Sequence, residues 1–137
     1  MVELTDLPID RRAVLDSVQS PLAGAVVSFD GVVRNHARGK KVTHLFYEAY
    51  DSMALLQLEA IRAEAIQRWK LHAASVVHRV GRMEIGESSV LIAVSASHRQ
   101  DAFEACRYII DAIKTRVPIW KKEHYLDGEI WIEEYGG

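Results

Sequence analysis

Three groups of basic residues hold the side chains best suited to chemistry in this sequence. The first is Arg34-Asn35-His36 with Arg38, Lys40 and Lys41 close behind. The second is Ser97-His98-Arg99. The third is Lys114 followed by Lys121, Lys122 and Glu123. The formal net charge is −2, so no global field draws nucleic acid or an anionic membrane surface. Any affinity for an anion has to be local.

Each group has a functional reading and an ordinary one. The first lies after a strongly apolar stretch, where a loop held by two strands can aim cations at a ligand. Basic residues at a solvated hairpin tip also simply discourage edge pairing. The second sits where a strand gives way to a helix, and a helix start offers unpaired N–H groups to a phosphate or carboxylate. Cations are disfavoured at that end of the helix dipole, so His98 and Arg99 are not explained by the helix alone. In the third, a lysine in the last helical turn complements the dipole, and Asp111 stands at pairing distance from Lys114 along the helix. If the groups converge, neighbouring cations lower the Lys114 pKa and free its amine as a base or nucleophile. Spacing alone leaves both readings open.

Other chemistries find no support. The six histidines show no short pair spacing of a zinc site, and neither a Gly-rich phosphate loop nor a GxSxG elbow is present. The single cysteine, Cys106, falls in an apolar stripe and reads as a buried structural thiol. Phe29, Phe46, Trp69 and Phe103 read as core rather than as base-stacking platforms. We expect no metal and no cofactor.

The elements that must position these groups are readable from periodicity. Apolar residues make up 49% and charged residues 26% of 137 residues, the balance of one globular domain over 1–137. A helix is expected from Asp10 to about Val18, capped by Asp10. A strand runs from Ala23 to Val33, with Gly31 a bulge or bend. A second strand, Val42 to Tyr50, is expected to pair with it as a long hairpin around 34–41. Ser52 to Trp69 is a helix. Ala74–Val80 and Ser88–Ala96 are strands, and about His98 to Arg116 is a second long helix. Ser97 and Gln100 fit a capping box at its start, and Pro118 ends it. Two short strands around Asp127-Gly128 close the chain. Paired strands between helices predict an α+β fold with a mostly antiparallel sheet and about three helices. The acidic start, the absence of a long apolar run and the lone cysteine predict a cytoplasmic protein.

Five segments together resemble the large-subunit family of molybdopterin synthase: GAVVSFDGVVRNH (24–36), YEAY (47–50), HRVG (78–81), SASHRQDAFEAC (95–106) and IKTRVPIWKKE (113–123). The resemblance implies an α/β-hammerhead fold. It implies an enzyme that converts cyclic pyranopterin monophosphate, precursor Z, to molybdopterin. Two sulfurs come from the C-terminal Gly-Gly thiocarboxylate of a small ubiquitin-like subunit, and the large subunits form a central homodimer within a heterotetramer. By motif, Lys114 is the essential lysine and Lys121 the second pocket lysine. Phe29, Arg34, His98, Arg99, Lys122 and Glu123 match substrate-binding positions. Two positions depart from the pattern: Tyr135 stands where many members place an arginine that reaches the neighbouring subunit, and Ile110 replaces a pocket methionine. Gly136-Gly137 reads as a loose end. The same basic groups also suit a non-enzymatic subunit that binds a phosphorylated ligand or only assembles with partners.

Overall fold

The computed structural model describes residues 1–132, with side chains to Gly128. In chain order the elements are β1 (Val2–Thr5), α1 (Arg11–Asp16), β2 (Ala25–Val32), β3 (His36–Ala37), β4 (Lys40–Ala49), α2 (Asp51–Trp69), β5 (Ala73–Arg79), β6 (Gly81–Glu84), β7 (Ser88–Ala96), α3 (Arg99–Arg116), β8 (Ile119–Tyr125) and β9 (Gly128–Ile132). Three helices and a mostly antiparallel arrangement make this the α+β fold that the alternation predicted.

The strands divide into two sheets. One has the order β1-β5-β7-β2; the other runs β3-β4-β8-β9, with β6 on β4. Every residue of β7 is buried. Alternation along the strand explains how. Val90, Ile92, Val94 and Ala96 enter the main core with Leu58 and Ile61 of α2 and Ile109 and Ile113 of α3. Leu91 and Ala93 point the other way and pack with Val77 against Val14 and Val18. Helix α1 is capped as expected, Asp10 accepting from the Ala13 N–H at 3.1 Å.

Two expectations are corrected. The stretches 23–33 and 42–50 do not form one hairpin. β2 pairs with β7, Ala25 opposite Ala96 and Gly31 opposite Val90, while β4 belongs to the second sheet. The register shift at Gly31/Val32 swings the chain out of the first sheet, and β4 takes the two-residue β3 as its hairpin partner instead. Burial of β7 on both faces required a second long neighbour, and β2 supplies it. The parallel pairing of β1 with β5 was also not anticipated, because four residues carry too little periodicity to read.

The corner HRVG is tied together by charge. Arg79 is buried and donates to Glu87 at 2.6 Å and to the Arg82 carbonyl at 3.2 Å. The Glu84 N–H and Arg79 hold the Glu87 carboxyl below its ordinary pKa. Beside it, His78 is fully buried. Its Nδ1 lies 2.8 Å from the Arg79 carbonyl, an acceptor, so the proton of the neutral ring sits on Nδ1. Nε2 has no partner among the described residues. Desolvation, partly opposed by the carbonyl contact, pushes the His78 pKa from 6.5 down to about 4.

The unfolded chain therefore takes up a proton below about pH 6.5 that the native chain refuses until about pH 4. The stability contributed by neutral His78 is complete above that window and is lost as pH falls through it. Urea titrations between pH 4 and 7 are expected to show this slope in the wild type. A His78→Phe variant is expected to show a flatter profile, and parallel profiles would refute the assignment.

Candidate active site

After Gly31 the chain leaves its sheet and is gripped by the β6–β7 turn. The Val33 N–H donates to the Glu87 carbonyl at 3.0 Å, and the Gly86 N–H donates to the Val33 carbonyl at 2.9 Å. Gly31 has to be small here, since a Cβ would meet Val90 Cγ1 at 2.8 Å. This bend opens a cavity of about 110 Å³ at the boundary of the two sheets. Val33, Val42, Leu45 and Tyr47 form its apolar wall, and Arg34, His36, Lys121 and Glu123 its polar one.

Strand alternation decides which of the β8 residues enter. Lys121 and Glu123 face the cavity, Lys121 opposite Tyr47 in the register. Lys122 stands between them on the other face, opposite Phe46, and does not line the cavity. On that outer face His124 stacks on His44, ring centroids 4.1 Å apart.

Glu123 is a buried carboxylate, and a buried charge requires a partner. Arg38 Nε donates to its Oε1 at 3.2 Å and the Tyr125 hydroxyl donates to the same oxygen at 2.8 Å. Arg38 lies at the hairpin tip with φ +53, next to Gly39 at +75, a turn with two left-handed residues that suits a two-residue hairpin. A non-glycine residue in that region is strained, and the ion pair offsets the strain. Sequence reading placed Arg38 in the first basic group but found no partner, since Glu123 is 85 positions away.

Lys114 projects from the last turn of α3 and is exposed. Asp111, its anticipated partner, pairs instead with Arg107 at 3.8 Å. Among the described residues Lys114, Lys121, Arg34 and Arg99 make no ion pair. Helix α3 follows β7 after a short connection and packs on β7 and β2, so it runs back along them. Its C-terminal end, with Lys114, thus returns to the end of the sheet where β2 bends at Gly31. Phe29, half-exposed on β2, sits two residues before that bend and outside the cavity lining.

His98 and Arg99 lie at the other end. His98 is the N-cap of α3 and makes no side-chain capping bond. The capping box expected of Ser97 and Gln100 does not form, because Ser97 Oγ is 2.9 Å from His72 Nε2. Fifteen helical residues at about 1.5 Å each put Arg99 about 22 Å from Lys114 along the axis. Within one chain, then, the first and third basic groups approach one another and the second does not. Ile110 is buried in the main core, not exposed to the cavity. Tyr135 and Gly136-Gly137 lie outside the described residues. Cys106 is buried, and burial pushes its thiol up to about 11.

Fold and site define an α+β protein with a cavity, lined by Arg34, Lys121 and the paired Glu123, where two sheets meet. The family profile described as MoaE protein matches residues 4–116, and the chain belongs to that family. It is 49% identical over 116 residues to the molybdopterin synthase catalytic subunit of Pyrococcus abyssi, covering 85% of this chain and 78% of that one. A crystal structure of molybdopterin synthase from Staphylococcus aureus superposes with TM-score 0.90 at 42% identity, over 94% of each chain. The same fold recurs at 23% identity and TM-score 0.80 in a protein–protein complex of subunits 1 and 2 of molybdopterin-converting factor from Helicobacter pylori, over 98% of this chain and 92% of that one.

Glu123→Ala removes the carboxylate to which Arg38 and the Tyr125 hydroxyl both donate, one of the ties of the hairpin tip. Arg38 is half exposed, so the expected loss is about 1–3 kcal/mol of stability rather than the larger cost of a fully buried pair. Chemical denaturation measures it, and an unchanged midpoint would remove Glu123 from this structural role.

Proposed function

We propose that this chain is the catalytic subunit of molybdopterin synthase, one domain over 1–137, acting on cyclic pyranopterin monophosphate with a small sulfur-carrier subunit. The observation that carries the reading is the cavity where Arg34 and Lys121 meet at the end of the sheet to which α3 returns Lys114. A cyclic phosphate needs cations that are not already paired, and these make no ion pair among the described residues. The only cysteine is buried and protonated, so a thiol of this chain is a poor sulfur carrier. A thiocarboxylate tail from a partner fits that restriction.

Each cycle forms one carbon–sulfur bond between the tail's sulfur and a side-chain carbon of the pterin while a carbon–oxygen bond at that carbon breaks. The oxygen departs on the phosphate as the cyclic phosphate opens in one cycle, and as water in the other. The immediate product is a thioester to the partner's terminal glycine. Water cleaves the acyl–sulfur bond, leaving sulfur on the pterin and a carboxylate on the tail. Negative charge develops on the phosphate and on the tetrahedral acyl centre, and Arg34 and Lys121 stabilise it. Lys114 is the general acid–base for those steps.

His98 and Arg99 enter this scheme from a second copy. β2 is an edge strand of its sheet among the described residues, with Val26, Phe29 and Val32 exposed. Antiparallel pairing of β2 with β2 of another copy sets the Val32 end of one beside the Ala25 end of the other. Ala25 pairs with Ala96, just before His98. The second copy's His98 and Arg99 are thereby carried toward the first copy's Arg34 and Lys114. We place the protein in the cytoplasm, where a single cysteine stays reduced; no helix among the described residues is long and apolar enough to cross a membrane.

Lys114→Ala is expected to abolish molybdopterin formation with thiocarboxylated small subunit while the fold and partner binding survive. Arg99→Ala is expected to weaken precursor binding. Mixing the two variants, assayed at precursor concentrations too low to saturate Arg99→Ala, is the sharper measurement. In a mixed dimer one site combines wild-type Lys114 with wild-type Arg99, so activity returns. No recovery on mixing, with mixed dimers verified by mass, would place both residues in the same chain's site.

A further inference from the structure

The cavity holds one side chain to which the scheme above gives no task. His36, on the two-residue β3, lines it together with Arg34, Lys121 and Glu123. Its Nδ1 lies 2.9 Å from Asn35 Oδ1. That oxygen is an acceptor, so in the neutral ring the proton sits on Nδ1 and Nε2 keeps its lone pair. The ring makes no other hydrogen bond among the described residues. A histidine with one nitrogen held by a third group and the other open has the form of an oriented base. The strand beneath it is pinned. His36 pairs with Lys41, Arg38 is tied to Glu123, and Lys40 lies 3.6 Å from Asp127.

Elimination leads to the same residue. Hydrolysis of a thioester needs a group that takes a proton from water. Charged arginine and lysine only donate, which suits Arg34 and Lys121 to the oxyanion instead. Ser89 Oγ already donates to the Gly31 carbonyl at 3.0 Å. Glu123 is engaged as well, its Oε1 accepting from Arg38 and from Tyr125. Lys114 and His98 do not line the cavity. His36 is left. The cavity's volume of about 110 Å³ has room for several waters at roughly 10–15 Å³ each.

We propose that His36 is the general base of thioester hydrolysis. This rests on the functional reading above and divides the proton transfers given there to Lys114. Nε2 takes a proton from a water as the water oxygen bonds to the acyl carbon. Negative charge forms on the acyl oxygen, beside Arg34 and Lys121. The acyl–sulfur bond then breaks, and the proton on His36 passes to the departing sulfur. The products are a thiol on the pterin side chain and a carboxylic acid at the carrier's terminal glycine, which ionises to the carboxylate. Lys114 keeps the proton transfers of carbon–sulfur bond formation.

Single-turnover reactions of the assembled enzyme with thiocarboxylated small subunit and precursor test this, quenched in acid and read by intact mass. Wild type is expected to show little carrier–pterin thioester. His36→Ala is expected to accumulate that adduct and to form molybdopterin about a hundredfold more slowly, with small-subunit affinity and melting temperature unchanged. Added imidazole is expected to clear the adduct and raise the rate, which a purely structural loss would not permit. His36→Gln carries the adduct measurement if His36→Ala fails to fold. Undiminished turnover in the variants overturns the assignment. Slow turnover without the adduct also overturns it, because His36 then acts before the thioester forms. So does an adduct that imidazole leaves in place. A wild-type chain that makes neither adduct nor molybdopterin removes the functional reading and this proposal together.

Discussion

The burial of β7 on both faces is the constraint from which the rest of the molecule follows. Nine consecutive residues with no side exposed to water need helices on one face, a second layer on the other and a strand along each edge. Helices α2 and α3 cover one face, α1 the other, and β5 and β2 the edges. Burying one Val, Leu or Ile side chain contributes roughly 1.5–3 kcal/mol, and β7 alone holds Val90, Leu91, Ile92 and Val94. That demand takes β2 away from β4. It also forces the bend at Gly31 by which the chain escapes to the second sheet, and the cavity is the gap that the bend leaves.

The same constraint divides the basic residues. A helix that leaves the end of a buried strand and covers it has its two termini at opposite ends of the sheet. His98 and Arg99 must therefore sit far from Lys114, however close their roles. In the dimer proposed above, the edge position of β2 would resolve the separation, because a twofold pairing of edge strands would set the start of one sheet beside the end of the other. An edge strand that would be an aggregation hazard in a monomer would, on that proposal, complete a site in a dimer.

Much of the fold was legible because it rests on periodicity: α2, α3, β5 and β7 stand where spacing put them, and the last hairpin turns at Leu126-Asp127, one residue before the expected Asp127-Gly128. The sheet partners were not, since alternation shows that a strand is half buried but not against what. The capping box at Ser97 failed for a related reason. His72, brought alongside by the fold, takes the Ser97 hydroxyl, and no local pattern records a contact 25 positions apart. At the site, residue types alone made His98 and Arg99 conspicuous and left Lys114 looking like an ordinary helix-end lysine. The resemblance supplied the role expected of it, and geometry then added what neither had shown. Lys122 turns away from the cavity, and Glu123 is engaged by Arg38 and Tyr125.

That last contact changes how Glu123 is to be understood. A carboxylate in the proposed anion pocket would repel its ligand, and its burial without a cation would be costly. Paired with Arg38, it contributes little net field to the cavity and serves instead to hold the β3–β4 hairpin, and with it Arg34 and His36, over the opening. Lys40 adds a second tie, 3.6 Å from Asp127. Both ties reach β8 and the turn that follows it, so the strand that presents Lys121 also restrains the hairpin that carries Arg34. The backbone segments that carry the two cations are thereby tied to one another. Electrostatic catalysis depends on that condition, because charges that must be gathered at the moment of reaction stabilise the transition state by less than charges already in place.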